Sequence, residues 1–97
     1  MSNDTVIKYF IDIAKKYSAT KVVIFGSYAR GDFKEDSDYD VAFFGVFDKI
    51  VQANIYHDLQ WEAPTLKKID IIFYEDVSAE LKANIDKEGK IIYESKV

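Results

Sequence analysis

Segments with helical spacing of apolar residues alternate with short β-rich segments along the whole chain, and this alternation is the strongest constraint on its fold. From residue 5 to 17 apolar side chains recur every three or four positions, which is typical of an amphipathic helix. Ser2 or Asn3 is the predicted cap of this helix. The alternation predicts an α/β (α+β) domain in which a small mixed β-sheet carries helices packed on one face.

The other elements are predicted from hydrophobic period, glycines and the single proline. Strands are expected at 21–25, 38–44 and 68–74, with a short edge strand at 90–93. A short helix is expected from about residue 27 to Gly31, which suits the left-handed position after a helix. Two more helices are expected at 47–61 and, capped by Ser78, up to residue 87, with Gly89 ending the second.

Bulk properties limit the class of protein. The 97 residues, 48% of them hydrophobic and 31% charged, predict a single folded domain over residues 1–97. Cysteine is absent, which excludes disulfides and thiolate metal sites. We expect a cytoplasmic location and no membrane contact, since the sequence shows no signal-peptide pattern and no apolar run long enough to span a bilayer. A net charge of −4 without a basic face argues against direct nucleic-acid binding.

Three aspartates are in phase on two predicted strands. Asp38 and Asp40 lie two positions apart and therefore point to the same face, because side chains on a strand alternate. Asp70 alternates in the same way with the aliphatic and aromatic residues around it on the later strand. If both apolar faces are buried under helices, all three carboxylates lie together on the uncovered face.

These carboxylates predict a divalent metal site. Acidic residues crowd the segment 32–40, where only Lys34 carries a positive charge, and carboxylates brought together repel each other unless a cation lies between them. Oxygen ligands suit magnesium, and two such ions about 3.5–4 Å apart can stabilise a phosphoryl displacement. Each aspartate alone is better explained as a surface or strand-end charge. The three together favour a metal site.

The Gly26-Ser27 turn is a candidate phosphate site. It ends the first strand and begins a helix, where backbone N–H groups are unpaired and a glycine allows close approach of an anion. Such a turn is by itself most often only a turn. It gains significance because Ser27 lies 11 positions before Asp38.

The two motifs together resemble the polymerase-β-type nucleotidyltransferases, and most closely the small prokaryotic MNT-type domains. The resemblance rests on Gly26-Ser27-Tyr28-Ala29-Arg30-Gly31 and on Ser37-Asp38-Tyr39-Asp40-Val41. Val41 replaces the usual leucine, and Ile69-Asp70-Ile71 matches the later strand that supplies the third carboxylate of the family. The likeness spans nearly the whole chain and implies a polymerase-β-like nucleotidyltransferase core.

The resemblance also implies residue roles. Gly26 and Ser27 would hold the triphosphate, and Asp38 and Asp40 would bind two Mg²⁺ ions and the nucleotide phosphates. Asp70 would bind the catalytic metal and help deprotonate the acceptor hydroxyl, which attacks the α-phosphorus. Arg30 would contact phosphate or brace the aspartate loop; an exposed arginine paired with neighbouring acids is an equally good interpretation.

The implied function is transfer of AMP from ATP to a hydroxyl of a macromolecule. For MNT-type domains the resemblance implies a helical HEPN-type toxin as partner, with this chain as its antitoxin. A second hypothesis is an antitoxin that neutralises its partner by docking alone. Transfer to a small molecule such as an aminoglycoside is less favoured, because the chain has no added substrate-binding domain.

Some conspicuous residues are given structural roles. His57, the only histidine, is expected on a helix surface or in a satisfied packing position. Core or rim packing is preferred for Tyr56 and Trp61 over a partner-binding role. The lysine pairs at 15–16 and 67–68 are expected to solvate helix and strand ends.

Overall fold

The structure, a computed structural model, describes residues 4–96, in which four α-helices alternate with four strands. In chain order they are α1 Thr5–Lys16, β1 Lys21–Phe25, α2 Gly26–Arg30, β2 Tyr39–Phe44, α3 Lys49–Trp61, β3 Ile69–Phe73, α4 Ala79–Glu88 and β4 Lys90–Glu94. A short 3₁₀ turn, Tyr74–Asp76, follows β3. The predicted order of elements is confirmed, and most of their ends move by only one or two residues.

The strands form one mixed sheet in the order β3-β2-β1-β4. β1 is antiparallel to both β2 and β4, whereas β2 and β3 are parallel and are connected through α3. The parallel pair brings the beginnings of β2 and β3 to the same end of the sheet as the last residue of β1. The prediction of a small mixed sheet with β4 at an edge is confirmed.

The main core lies between one face of the sheet and helices α1 and α3. Its fully buried side chains include Phe10 from α1, Phe43 from β2, and Ile55 and Leu59 from α3. A smaller cluster of Val23, Ala42 and Ile85 places α4 against the opposite face. The prediction of helices on one face therefore describes α1 and α3, and the structure adds α4 on the second face, where apolar strand residues also need cover.

The helix beginnings differ from the sequence prediction. Asp4 caps α1, because its Oδ1 accepts hydrogen bonds from the N–H groups of Val6 at 2.8 Å and Ile7 at 3.2 Å. The prediction of Ser2 or Asn3 as the cap is thus wrong, and both residues lie outside the described part of the chain. Asp48 caps α3 in the same way, so Phe47 precedes this helix and is 69% exposed.

A polar contact joins α1 to α3 at the edge of the main core. The buried Asp58 carboxylate accepts a hydrogen bond of 2.6 Å from the Tyr17 hydroxyl and one of 3.3 Å from Lys16 Nζ. The Tyr17 hydrogen bond is the largest cause that holds the pKa of Asp58 below its ordinary value. Lys16 was predicted only to solvate the end of a helix, and the structure shows that it also contributes to the contact between α1 and α3.

Tyr17→Phe is expected to destabilise the fold by about 1–2 kcal/mol, since it leaves a buried carboxylate without its shortest hydrogen bond. The melting temperature would fall by about 4–8 °C per kcal/mol for a domain of this size. Because a lowered folded-state pKa stabilises the protein only above the unfolded pKa, the difference should shrink as the pH falls below about 4. Tyr56→Phe on the exposed side of α3 is the control, and an equal effect of both substitutions would contradict this interpretation.

Three large side chains on α3 lie at the surface of the protein. Trp61 is 78% exposed and Tyr56 is 52% exposed, so the prediction of core or rim packing for both is wrong. His57 lies on the surface of α3 as expected, with Nδ1 at 3.6 Å from Asp58 Oδ1.

Among residues 4–96, no helix has the length and apolar character that a membrane span requires.

Candidate active site

The predicted site residues converge at one end of the sheet. Phe25, the last residue of β1, pairs with Asp40, and Asp40 pairs with Asp70 across the parallel strands. The turn that begins with Gly26 therefore follows β1 directly beside the two aspartates. This convergence results from strand register and could not follow from either motif alone.

Side-chain alternation places Asp40 and Asp70 on one face of the sheet. Their neighbours Tyr39, Val41 and Ile69 are buried on the opposite face under α1 and α3. The predicted phase of the two strands is confirmed. Asp38 lies one residue before β2, on the exposed loop that connects α2 to β2.

The surroundings of Asp40 raise the pKa of its carboxyl group. Partial burial, followed by the charge and hydrogen bonding of Asp70 and the charge of Asp38, raises the pKa of Asp40 from 3.8 to about 6. The guanidinium of Arg30 acts in the opposite direction and lowers it. A carboxylate held this close to two others has a strong electrostatic reason to bind a cation.

The donor set fits a hard divalent cation, because it consists of carboxylate oxygens with excess negative charge. The structure brings Asp40 and Asp70 together and keeps Asp38 close enough to perturb Asp40. Within residues 4–96, no three carboxylate or imidazole side chains are already arranged as a set of metal ligands. The role of Asp38, Asp40 and Asp70 as joint metal ligands stays a prediction.

Gly26 lies directly beside Asp40 in a left-handed backbone conformation. Its φ of +68° lies in the left-handed region, and a Cβ atom added to it would overlap Asp40 Oδ2 and lie 3.1 Å from Asp40 Cγ. Ser27 follows in the first turn of α2, where no side chain caps the helix. The phosphate-binding candidate and the carboxylate candidate are thus in direct contact.

Arg30 lies on the exposed end of α2. Its Nε is 3.2 Å from Asp32 Oδ2 and its Nη1 is 3.3 Å from Glu88 Oε2, so it pairs with neighbouring acids. This matches the second interpretation of Arg30 offered by the sequence. The charge still reaches the site, because it lowers the pKa of Asp40.

Two lysines near the site were missed by sequence reasoning, which assigned them to solvated strand ends. Lys68 Nζ lies 3.4 Å from Asp70 Oδ1 and provides a counter-charge for this carboxylate. Lys67 is half-buried and donates a hydrogen bond to the Tyr28 hydroxyl. The spacing of Lys68 and Asp70, two positions apart at a strand, is the signal that could have identified the first contact.

Comparison with known proteins gives the family. The profile of the family described as "Polymerase beta, Nucleotidyltransferase" matches residues 8–97. A protein of Methanocaldococcus jannaschii named "Putative protein adenylyltransferase MJ0604" is 29% identical over 100 residues, covering 96% of this chain and all of that protein.

Solved structures have the same fold. A toxin–antitoxin crystal structure with AMP-PNP matches with a TM-score of 0.71 and 18% identity, over 93% of this chain and 74% of that chain. A complex of a tri-AMPylated Shewanella oneidensis HEPN toxin with its MNT antitoxin matches with a TM-score of 0.69 and 17% identity, over 94% and 71% of the two chains. Because the family profile covers nearly the entire sequence, this chain belongs to the polymerase-β nucleotidyltransferase family.

Proposed function

We propose that this protein transfers AMP from ATP to a hydroxyl group of a macromolecular acceptor, with Mg²⁺ bound at its aspartates. The observation that carries the proposal is the contact between Gly26 and Asp40, together with the position of Asp70 directly opposite Asp40 on the neighbouring parallel strand. Phosphate binding and phosphoryl chemistry need these two features side by side. Membership of the nucleotidyltransferase family supports the same reaction class.

The nucleotide phosphates would lie against the Gly26-Ser27 turn. Backbone N–H groups of this turn and the Ser27 hydroxyl would hold the triphosphate, while the absence of a side chain at residue 26 lets the Asp40 carboxylate lie beside the turn. Asp38, Asp40 and Asp70 would hold two Mg²⁺ ions, which when bound neutralise phosphate charge and polarise the reacting oxygens. Arg30 would add positive charge at the edge of the site.

Asp70 would accept the proton of the attacking hydroxyl. Its side chain is 44% exposed, so an acceptor can reach it from solvent. The hydroxyl oxygen forms a bond to the α-phosphorus as the bond from that phosphorus to the pyrophosphate oxygen breaks. The products are an AMP ester of the acceptor and pyrophosphate.

The acceptor is proposed to be a HEPN-type toxin, with this chain as its antitoxin. The M. jannaschii relative is named as a protein adenylyltransferase, and one structural neighbour is an MNT antitoxin bound to an AMPylated HEPN toxin.

Docking without catalysis is the second candidate function. The exposed Trp61 and Tyr56 on α3 favour it, since large apolar side chains at a surface can bind a partner whatever the chemistry of the site. The site argues against docking alone. A purely docking protein has no need for a partly buried aspartate whose pKa is raised by its burial and by neighbouring carboxylates.

Incubation of the chain with Mg²⁺, a HEPN-type toxin and ATP labelled on the α-phosphate is expected to label the toxin. ATP labelled on the γ-phosphate should leave it unlabelled, because that phosphate departs in pyrophosphate. The double substitution Asp38→Asn, Asp40→Asn should lower the labelling rate by at least about a thousandfold. Transfer of the γ-label, or undiminished transfer by the double variant, would contradict the proposal.

Cells that express the toxin separate the two candidate functions. Catalytic neutralisation predicts that the double variant still forms a complex with the toxin but no longer protects the cells. Protection by the double variant would instead support docking as the mechanism.

A further inference from the structure

Three aromatic rings are stacked directly behind the candidate site. The ring of Tyr28 lies between those of Tyr39 and Phe33, with centroid distances of 4.1 Å and 4.4 Å and interplanar angles of 12° and 8°. Phe10 contacts Tyr39 edge-on at 5.8 Å and anchors this end of the stack in the main core. We call Tyr39, Tyr28 and Phe33 the ring stack.

Polar contacts fix the ring stack at both hydroxyl groups. The Tyr39 hydroxyl donates a hydrogen bond of 3.1 Å to Asp4 Oδ2, from the residue that caps α1. Lys67 Nζ donates to the Tyr28 hydroxyl and lies 5.1 Å and 5.7 Å from the Tyr28 and Tyr39 ring centroids. These contacts limit sliding of the rings relative to each other.

The two tyrosines of the ring stack and Lys67 are each close in sequence to a predicted site residue. Tyr28 follows Ser27, Tyr39 stands between Asp38 and Asp40, and Lys67 lies three residues before Asp70. The Tyr39 N–H also donates a hydrogen bond of 3.0 Å to the Lys68 carbonyl oxygen. The ring stack and Lys67 therefore join the three chain segments that carry the site.

Phe33 has a different position from the other two rings. It belongs to the exposed loop that leads to Asp38, and its side chain is 48% exposed although it stacks on the buried Tyr28. The same loop has an internal turn, in which the Lys34 N–H donates to Ser37 Oγ at 2.7 Å. This turn shapes the loop, whereas the Phe33 ring ties the loop to α2.

We propose that the ring stack is a positioning device, in which Phe33 holds the loop of Asp38 in place beside Asp40. Phe33, Tyr28 and Tyr39 lie behind the carboxylates and act through the segments they join, so they are positioning residues and not catalytic ones. The inference that this positioning serves Mg²⁺ and nucleotide binding rests on the proposed function. Loop positioning itself does not depend on that function.

Phe33→Ala is the test of this role, with Phe33→Tyr as the conservative variant and Phe47→Ala as a matched control at another exposed phenylalanine. Hydrogen exchange of the amides at 32–38 in EDTA measures loop positioning without nucleotide. We expect exchange to become about tenfold faster in Phe33→Ala, to stay unchanged in Phe47→Ala, and to return to the wild-type rate in Phe33→Tyr. Unchanged exchange in Phe33→Ala would overturn the proposal.

A second measurement links the stack to the site. The Mg²⁺ concentration that gives half-maximal ATP binding should rise about tenfold in Phe33→Ala, while the melting temperature in EDTA stays close to wild type because the residue is exposed. Equal Mg²⁺ dependence in both proteins would overturn the link between the stack and the site. Wild-type protein that binds no ATP, but whose loop is loosened by Phe33→Ala, would overturn the proposed function while supporting the positioning role.

Discussion

Asp40→Asn is expected to raise the melting temperature of the metal-free protein at about pH 7.5 while it lowers nucleotidyl transfer by at least about a thousandfold. The loss follows from removal of a charged ligand at the centre of the site. The gain in stability follows from the partial burial of the Asp40 carboxylate and from its repulsion by Asp70 and Asp38, which raise its pKa to about 6. The site would thus be maintained at the expense of stability.

The pH dependence of this gain has a definite sign. Asp40 has a raised pKa in the folded state, so between about pH 4 and about pH 6 the folded protein retains a proton that the unfolded chain releases. Wild-type stability therefore falls as the pH rises through this window. Asparagine removes the effect, and the difference between the two proteins should be present above about pH 6 and vanish below about pH 4.

After allowance for solvent screening, the gain is about 1 kcal/mol at neutral pH, or about 4–8 °C in melting temperature. Thermal unfolding in EDTA at several pH values measures it. Asp36→Asn removes an exposed charge from the loop that precedes β2 and should change the melting temperature little. A lower melting temperature for Asp40→Asn throughout this pH range would show that the carboxylate is stabilising, contrary to our account.

Gly26→Ala is expected to destabilise the fold by about 2–4 kcal/mol and to eliminate Mg²⁺-dependent ATP binding. Two effects add: the positive φ disfavours any residue with a Cβ atom, and the new methyl group overlaps the Asp40 carboxylate. Relief of the overlap would displace Asp40 from the Gly26-Ser27 turn. Thermal unfolding measures the first outcome and calorimetric titration the second.

Gly31→Ala separates the two effects. Gly31 has a φ of +85° at the end of α2, but a Cβ atom added there would have no neighbour within 4 Å. Only the backbone cost of about 1 kcal/mol is expected, with ATP binding retained. Asp40→Ala should stabilise the Gly26→Ala protein more than it stabilises the wild type, because it also removes the overlap, and equal gains in the two backgrounds would contradict the proposed overlap.

The placement of Asp40 and Asp70 on one face of the sheet could be predicted because strand side chains alternate with a period of two. Apolar residues on either side of each aspartate fix which face is buried, so both carboxylates must occupy the other face. The glycine before Ser27 could likewise be identified as a close-approach position. Its contact with Asp40 required the register of β1 against β2, which local sequence does not determine.

The rest of the site depends on contacts between distant segments. Lys67 meets Tyr28 from 39 positions away, and no local pattern of charge or hydrophobicity indicates this contact. The exposure of Trp61 was missed because helical spacing identifies an apolar side chain near the core but does not show where the core ends. The packing of α4 on the second face of the sheet was missed for a similar reason, since Ile85 is the only residue of α4 that is buried.

Calorimetric titration with ATP shows whether the Gly26-Ser27 turn and the aspartates form one Mg²⁺-dependent nucleotide site. Wild-type protein and the Asp38→Asn, Asp40→Asn variant are titrated in Mg²⁺ and in EDTA after each is shown to be folded. We expect the wild type to bind ATP in Mg²⁺ only and the folded double variant not to bind it. Absence of Mg²⁺-dependent binding by the wild type, or equal binding by the variant, would show that these residues do not form such a site.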